Sequence, residues 1–287
     1  MAVESHDLGS LERGLDALEV PLAPRVSRGR RLWRGTWPKL LAIAIVLAFW
    51  QFLIWIQWKP SYAFASPADT FRALYDHWDV ISDAMGTTLR RGLEGYALAV
   101  VFGTALGAAV ARIPVLRAAI GSMITGLQTM PSVAWYPLAI VIFKLSEGAI
   151  FFVVVIGATP AIANGLINGV DNINPVLLRA GKVLGAKRLD SFRYVVLPAA
   201  VPAFVGGLKQ GWAFAWRSLL AGEIIGGIAG FSLGQQLKVN QEFLDMPTLQ
   251  AVMIVLFTIG VLMDALLFGT LERKVRKRYG LIDAATT

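Results

Sequence analysis

The chain has 287 residues, of which 56% are apolar and only 16% charged, with a net charge of +8 and a mean hydropathy of +0.59. Soluble domains carry about a quarter charged residues, so this composition excludes an ordinary soluble enzyme and points to a membrane protein. The Lys and Arg residues lie between apolar stretches and not along one polar face, which excludes nucleic acid as partner, and with no Cys and only His6 and His77 there is neither a disulfide framework nor a metal site.

Residues 1–36 are polar, turn basic at "RVSRGRRLWR" and show no sustained apolar periodicity. They predict a disordered tail ahead of a membrane domain over 37–287, whose core covers about 86–272. Leu40–Trp58 follows without a charge. Its polar leader is too long and its apolar run too extended for a cleaved signal peptide, so it predicts an uncleaved anchor.

Five further stretches are apolar enough to cross a bilayer, giving an all-α fold of six transmembrane helices: Gly92–Ala111, Ala118–Phe143, Ala149–Asn168, Ala199–Gly222 and Leu249–Thr270. Pro131 and Pro137 predict a kink or an unwound turn in the third span. The fifth contains Lys209 and Arg217. Gly103 and Gly107 form a small-x3-small pair suited to helix packing. Nineteen of the 27 Lys and Arg fall in 1–39, 112–117, 169–198 and 271–287. The excess of positive charge in these segments places them, and both termini, in the cytoplasm.

One cytoplasmic segment, "RAGKVLGAKRLDSFRYVVLP" at 179–198, has a structure of its own. Asn174-Pro175 is a helix start, and Leu177, Ala180, Val183 and Leu184 fall on one side of the helix that follows. Gly185 suits the left-handed position that ends a helix. A second short helix carries Leu189, Phe192, Val195 and Val196 on one face, and Leu197-Pro198 is expected to stop it before the fifth span. Two amphipathic helices hinged at a glycine fit either a connector on the anionic membrane surface or a docking site for a cytoplasmic partner.

Polar residues inside spans face a cavity or a partner. Lys209, Trp212 and Trp216 share one face of the fifth span, with Arg217 beside it. Lys209 is expected to snorkel to the headgroups. Arg217 either faces an anionic cargo or pairs with Glu94, Asp264 or Glu223. In the third span, "MPSVAWYP" joins broken backbone to Ser132, Trp135 and Tyr136, a combination that suits a cavity wall as well as a buried kink.

The 179–198 segment resembles the cytoplasmic coupling motif "EAA-x3-G-x9-I-x-LP" of permease subunits of binding-protein-dependent ABC importers. Ala180, Gly185, Val196 and Leu197-Pro198 match it, whereas Arg179 and Gly181 depart from the Glu and the second Ala. "FASPADTF", "TTLRRGLEGYALAVVFGTALG", "TMPSVAWYPLAIVIFKLSEG", "GLKQGWAFAWRSLLAGE" and "IGVLMDALLFGTLER" occur in the order seen in the nitrate/sulfonate/taurine/bicarbonate branch. The resemblance implies a MetI-like ABC importer permease fold with cytoplasmic coupling helices, in a bacterial plasma membrane. It implies two cytoplasmic ATPase subunits, a second permease copy and an external solute-binding protein as partners, besides the membrane lipids.

The coupling contacts it implies are Arg179, Ala180, Gly181, Gly185, Ala186, Leu189, Phe192, Leu197 and Pro198; the candidate pathway residues are Ser132, Trp135, Tyr136, Trp212, Trp216, Arg217 and Glu223. No cofactor is expected, since the chain lacks a G-x4-G-K-[ST] loop and ATP-Mg belongs to the partner subunit. The implied cargo is a small oxyanion, with an uncharged or heterocyclic solute as the alternative. A secondary transporter also explains six spans but gives no reason for the two-helix loop. A membrane-embedded enzyme would need a catalytic constellation that the sequence does not contain.

Overall fold

A computed structural model describes residues 28–60, 62–226 and 231–279, all helices and connecting turns. Helix α1 (Arg28–Trp55) forms a unit by itself. It begins before the predicted boundary, with residues 28–36 already helical; residues 1–27 of the predicted tail lie outside the described residues. No residue of its apolar stretch, Thr36–Trp55, is buried, and its length suffices to cross the hydrocarbon core.

The second unit begins at Gln57. It contains α2 (Pro67–Asp76), α3 (Trp78–Arg112), α4 (Pro114–Thr129), α5 (Tyr136–Phe143), α6 (Glu147–Asp171), α7 (Pro175–Val183), α8 (Arg188–Ser191), α9 (Leu197–Gly226), α10 (Leu233–Glu242), α11 (Met246–Leu262) and α12 (Gly269–Arg278). Helix α6 is the centre, buried over most of its apolar length. Helices α3 and α9 flank it through residues too small to hold them apart. A Cβ on Gly103 would sit 2.7 Å from Ile162 Cβ, and one on Gly107 2.9 Å from the Ala163 carbonyl oxygen. The Gly103/Gly107 pair is therefore a packing device, as its spacing predicts. On the other side, a Cβ on Gly165 would lie 2.4 Å from Gly207 Cα, so the backbones of α6 and α9 touch.

These contacts fix direction. Gly95 meets Val154, Gly103 meets Ile162 and Gly107 meets Leu166, so α3 and α6 run parallel; Ser218 meets Gly157 and Ala200 meets Gly169, so α9 runs back. Parallel neighbours require the chain between them to return across the bundle. The residues that do so are α4 and the Ser132–Phe143 segment that ends in α5, which meet at 104°. The predicted kink is thus a full break: Met130 and Pro131 are extended, a 3₁₀ turn covers Ser132–Trp135, and Pro137 stands in the first turn of α5, where its missing N–H costs nothing. Among the described residues five helices are long and apolar enough to cross a bilayer, or six with the broken pair counted as one span.

The fifth span differs from its predicted form. The chain does not stop at Leu197-Pro198; α8 passes through a π-helical turn (Phe192–Val196) straight into α9. Pro198 cannot donate the hydrogen bond of a regular turn. The wider turn, in which the Leu197 N–H donates to the Phe192 carbonyl, absorbs that defect without ending the helix. A second π turn (Met263–Phe268) joins α11 to α12.

Candidate functional site

The 174–198 segment is built as its residues demand. The Asn174 side chain accepts the Val176 N–H at 2.9 Å and Pro175 opens α7. At the other end Gly185 has φ +83, the Ala186 N–H donates to the Gly181 carbonyl at 2.9 Å, and the Gly185 N–H donates to the Lys182 carbonyl at 3.0 Å. This is the paired closure that a left-handed glycine gives to a helix end. Gly181 has a reason to be glycine: a Cβ there would lie 2.8 Å from Val195 Cγ2, so the second short helix folds directly onto it. Phe192 is half-buried, with the Arg112 guanidinium 3.8 Å from its ring centroid. Arg117 pairs with Asp171 beside it. The 112–117 segment and the 174–198 loop therefore share one end of the bundle.

The apolar stripe of α7 turns outward. Val183, Leu184 and Leu189 are 87%, 86% and 78% exposed around the glycine hinge. Arg179, Ala180 and Lys187 are exposed with them, Ala186 and Pro198 half-exposed, and Leu197 46% exposed. Such an apolar tip, framed by basic residues, is suited to insertion into another surface.

A cavity of about 440 Å3 opens where the broken third span crosses α6 and α9, lined by Met130, Pro131, Ser132, Gly157, Phe214 and Arg217 among others. The Ser218 hydroxyl donates to Ser132 at 2.7 Å, and no Cβ could stand at Gly157 without meeting both serines. Arg217 is exposed, its guanidinium carbon 5.5 Å from the Phe214 ring centroid. Among the described residues it makes no ion pair. Each carboxylate that the sequence offers it is engaged elsewhere: Glu94 with Arg90, Asp264 with Lys209 at 3.2 Å, and Glu223 with Arg91. Lys209 thus pairs with a neighbouring helix segment and does not merely snorkel. A second, almost wholly apolar cavity of about 430 Å3 lies nearby, with Trp135, Phe102 and Leu106 in its wall.

The region 99–277 matches the family described as "Binding-protein-dependent transport system inner membrane component". The chain belongs to that family. The permease is 30% identical over 212 residues to the nitrate import permease protein of Leptolyngbya laminosa, covering 69% of this chain and 73% of the relative. It is 28% identical to the taurine transport system permease protein of Escherichia coli (68% and 70% covered) and 28% identical to the riboflavin transport system permease protein of Chloroflexus aurantiacus (86% and 94% covered). Its fold is that of the MetI-like permeases: a solved methionine ABC transporter in an inward-facing conformation superposes with a TM-score of 0.59 at 18% identity, over 70% of this chain and 98% of that one.

Of the seven pathway candidates in the permease, Ser132 and Arg217 line the larger cavity and Trp135 the apolar one. The other four lie elsewhere. Trp212 is buried, its ring edge-on to Tyr96 at 5.2 Å and stacked on Trp216 at 6.0 Å. Aromatic bulk on that face of α9 fills the gap to α3 and Phe268. Tyr136 is 1% exposed in the core around Val153. Glu223 belongs to a buried polar cluster. It accepts the Thr88 hydroxyl at 3.0 Å and the Gly234 N–H at 3.1 Å and faces Arg91 at 3.5 Å. Arg91, 3% exposed, also donates to Glu147 at 2.9 Å, and Thr88 accepts the Leu233 N–H at 2.9 Å. Four helices meet there: α3, α6, α9 and α10. Nothing in the Arg-Arg-x-x-Glu spacing of 90–94 signals that the partners of Arg91 lie more than fifty residues away.

Proposed function

We propose that this permease is the membrane subunit of an ATP-driven importer of a small oxyanion such as a sulfonate, taurine, nitrate or bicarbonate. Arg217 carries the reading of the cargo. A guanidinium on a cavity wall inside a span, with no carboxylate to neutralise it among the described residues, is compensated by an anion that passes. Ser132 supplies a hydroxyl at the same wall. Under this reading the chain is a transport subunit and not an enzyme, and ATP-Mg is held by two cytoplasmic ATPase subunits. Their grooves receive Arg179, Ala180, Gly185, Ala186 and Leu189, with Gly181, Phe192, Leu197 and Pro198 shaping the loop. A second permease copy completes the pair that two grooves ask for, and an external binding protein delivers the solute. Both termini are cytoplasmic in a bacterial inner membrane, in keeping with the distribution of Lys and Arg.

Proteoliposomes holding the permease, its ATPase subunits and its binding protein test the cargo reading. Arg217→Gln should lower uptake of the transported anion by about tenfold to a hundredfold, the value of one charge-assisted hydrogen bond, with assembly and basal ATP hydrolysis near the parent. Undiminished uptake by a well-assembled variant removes Arg217 from the pathway. That result favours an uncharged or heterocyclic cargo, a reading that the riboflavin relative, similar over 86% of this chain, keeps specific.

A further inference from the structure

Helix α2 has no part in the coupling loop or the cavity, yet its residues are sorted with unusual strictness. At 100° per residue it divides into three lengthwise sectors. Thr70 and Ala73 are buried and Leu74 packs on the core around Ile81 and Val252; the Thr70 hydroxyl donates to Gln250 on α11 at 3.1 Å, and His77 stands 3.5 Å from Thr248. Phe71 and Tyr75 occupy the next sector and are 46% and 84% exposed. Asp69, Arg72 and Asp76 fill the third, all exposed. Ser66 caps the helix by accepting the Asp69 N–H at 3.1 Å, so it is a formed element despite its length.

The structure assigns α2 to the membrane–water interface, at the end of the bundle opposite the coupling loop, with its aromatic sector seated among lipid headgroups and upper acyl chains. The order of the sectors distinguishes lipid from a partner protein. A docking face has an apolar centre and a polar rim all round, whereas here the aromatic strip is bounded by the protein on one side and by charges on the other. That is the sequence of surroundings (protein, lipid, water) that a helix lying in the headgroup layer meets. Further aromatic residues stand at both ends of α2. Trp78, 50% exposed, follows α2 as the first residue of the α3 span. Trp58 and Tyr62, 59% and 65% exposed, precede α2, with the Lys59 ammonium 5.5 Å from the Trp58 ring centroid. Tyr and Trp with an adjacent cation are the residues that anchor at headgroup depth. The assignment rests only on the chain spanning a membrane and is indifferent to the cargo.

Because the chain has no native Cys, single cysteines at 70, 71, 72, 75 and 76 can each carry a nitroxide label in the otherwise intact permease. The labelled permease is assembled with its ATPase subunits in vesicles of phosphatidylethanolamine and phosphatidylglycerol. Power-saturation spectroscopy then compares collisions with oxygen, which partitions into lipid, against a water-soluble nickel chelate. Labels at 71 and 75 should favour oxygen several-fold over labels at 72 and 76, and the label at 70 should meet neither reagent. Should one aromatic replacement fail to assemble, Trp78→Cys carries the same expectation. Equal nickel access at 75 and 76 overturns the assignment. So does exclusion of both reagents from 71 and 75, since a protein surface then covers the strip.

Discussion

Replacing Glu223 by Ala deletes an acceptor that three groups share. The carboxylate has no exposed side-chain surface, and Arg91 beside it is 3% exposed. Its loss leaves the Thr88 hydroxyl and the Gly234 N–H without their acceptor and the Arg91 guanidinium with Glu147 alone. Breaking a buried ion pair from one side costs about 3–5 kcal/mol, because the surviving charge stays desolvated. At about 2–4 °C per kcal/mol for a chain of this size, the thermal midpoint in detergent should fall by about 6–20 °C. Glu223→Gln keeps an acceptor for Gly234 and should fall by less. A double replacement, Arg91→Met with Glu223→Leu, removes both charges in favour of apolar bulk and should recover much of the loss; the half-exposed Glu147 retains Arg90 at 3.0 Å. The assay is fluorescence-detected size exclusion after heating. A Glu223→Ala permease within about 1 kcal/mol of the parent, or a double variant less stable than either single one, refutes the view that this cluster holds the four helices together.

Gly185→Val puts a β-branched side chain at φ +83, a conformation that costs an ordinary residue about 1–2 kcal/mol and a branched one more; the variant should insert normally yet lose co-purification with the ATPase, and normal transport would count against the docking role. Cysteines replacing Lys144 and Lys238 should react with an impermeant thiol reagent in intact cells while one replacing Lys187 should not, and labelling at 187 alone inverts the topology.

Much of this architecture was legible because it is written in local chemistry. Asn174-Pro175 and Gly185 mark two ends of a helix whatever surrounds them, and both stand where their backbone preferences put them. Apolar length located the spans. What escaped was anything decided across the bundle. Pro198 reads as a stop when only its own ring and missing N–H are considered, yet a widened turn lets the helix continue. Trp212 reads as a pathway aromatic until Tyr96 and Phe268 are seen against it. The pairing of Lys209 with Asp264 and of Glu223 with Arg91 depends on which helices neighbour one another. Even Gly181, a departure from the coupling motif, became explicable only once Val195 was found folded onto it.

The continuity of α8 with α9 changes what the coupling loop can do. A loop hinged at Pro198 would absorb a push from below at that hinge. An unbroken helix from Arg188 to Gly226 transmits it instead, and at 1.5 Å per residue Leu189 and Arg217 lie about 42 Å apart on one rod. The compliant point is displaced to Gly185, ahead of the rod, while the Arg112 guanidinium packs on the Phe192 ring at the π turn of Phe192–Val196. Further along, the Gly165–Gly207 contact brings the backbones of α6 and α9 together with no side chain between them. A rod held at such a contact pivots more readily than it bends, so in the proposed coupling a push on the exposed tip at Leu189 would move Arg217 on the far side. Under the proposed coupling, the cation on the cavity wall and the exposed apolar tip stand on opposite sides of that contact, which gives a push at the tip a physical route to the cavity.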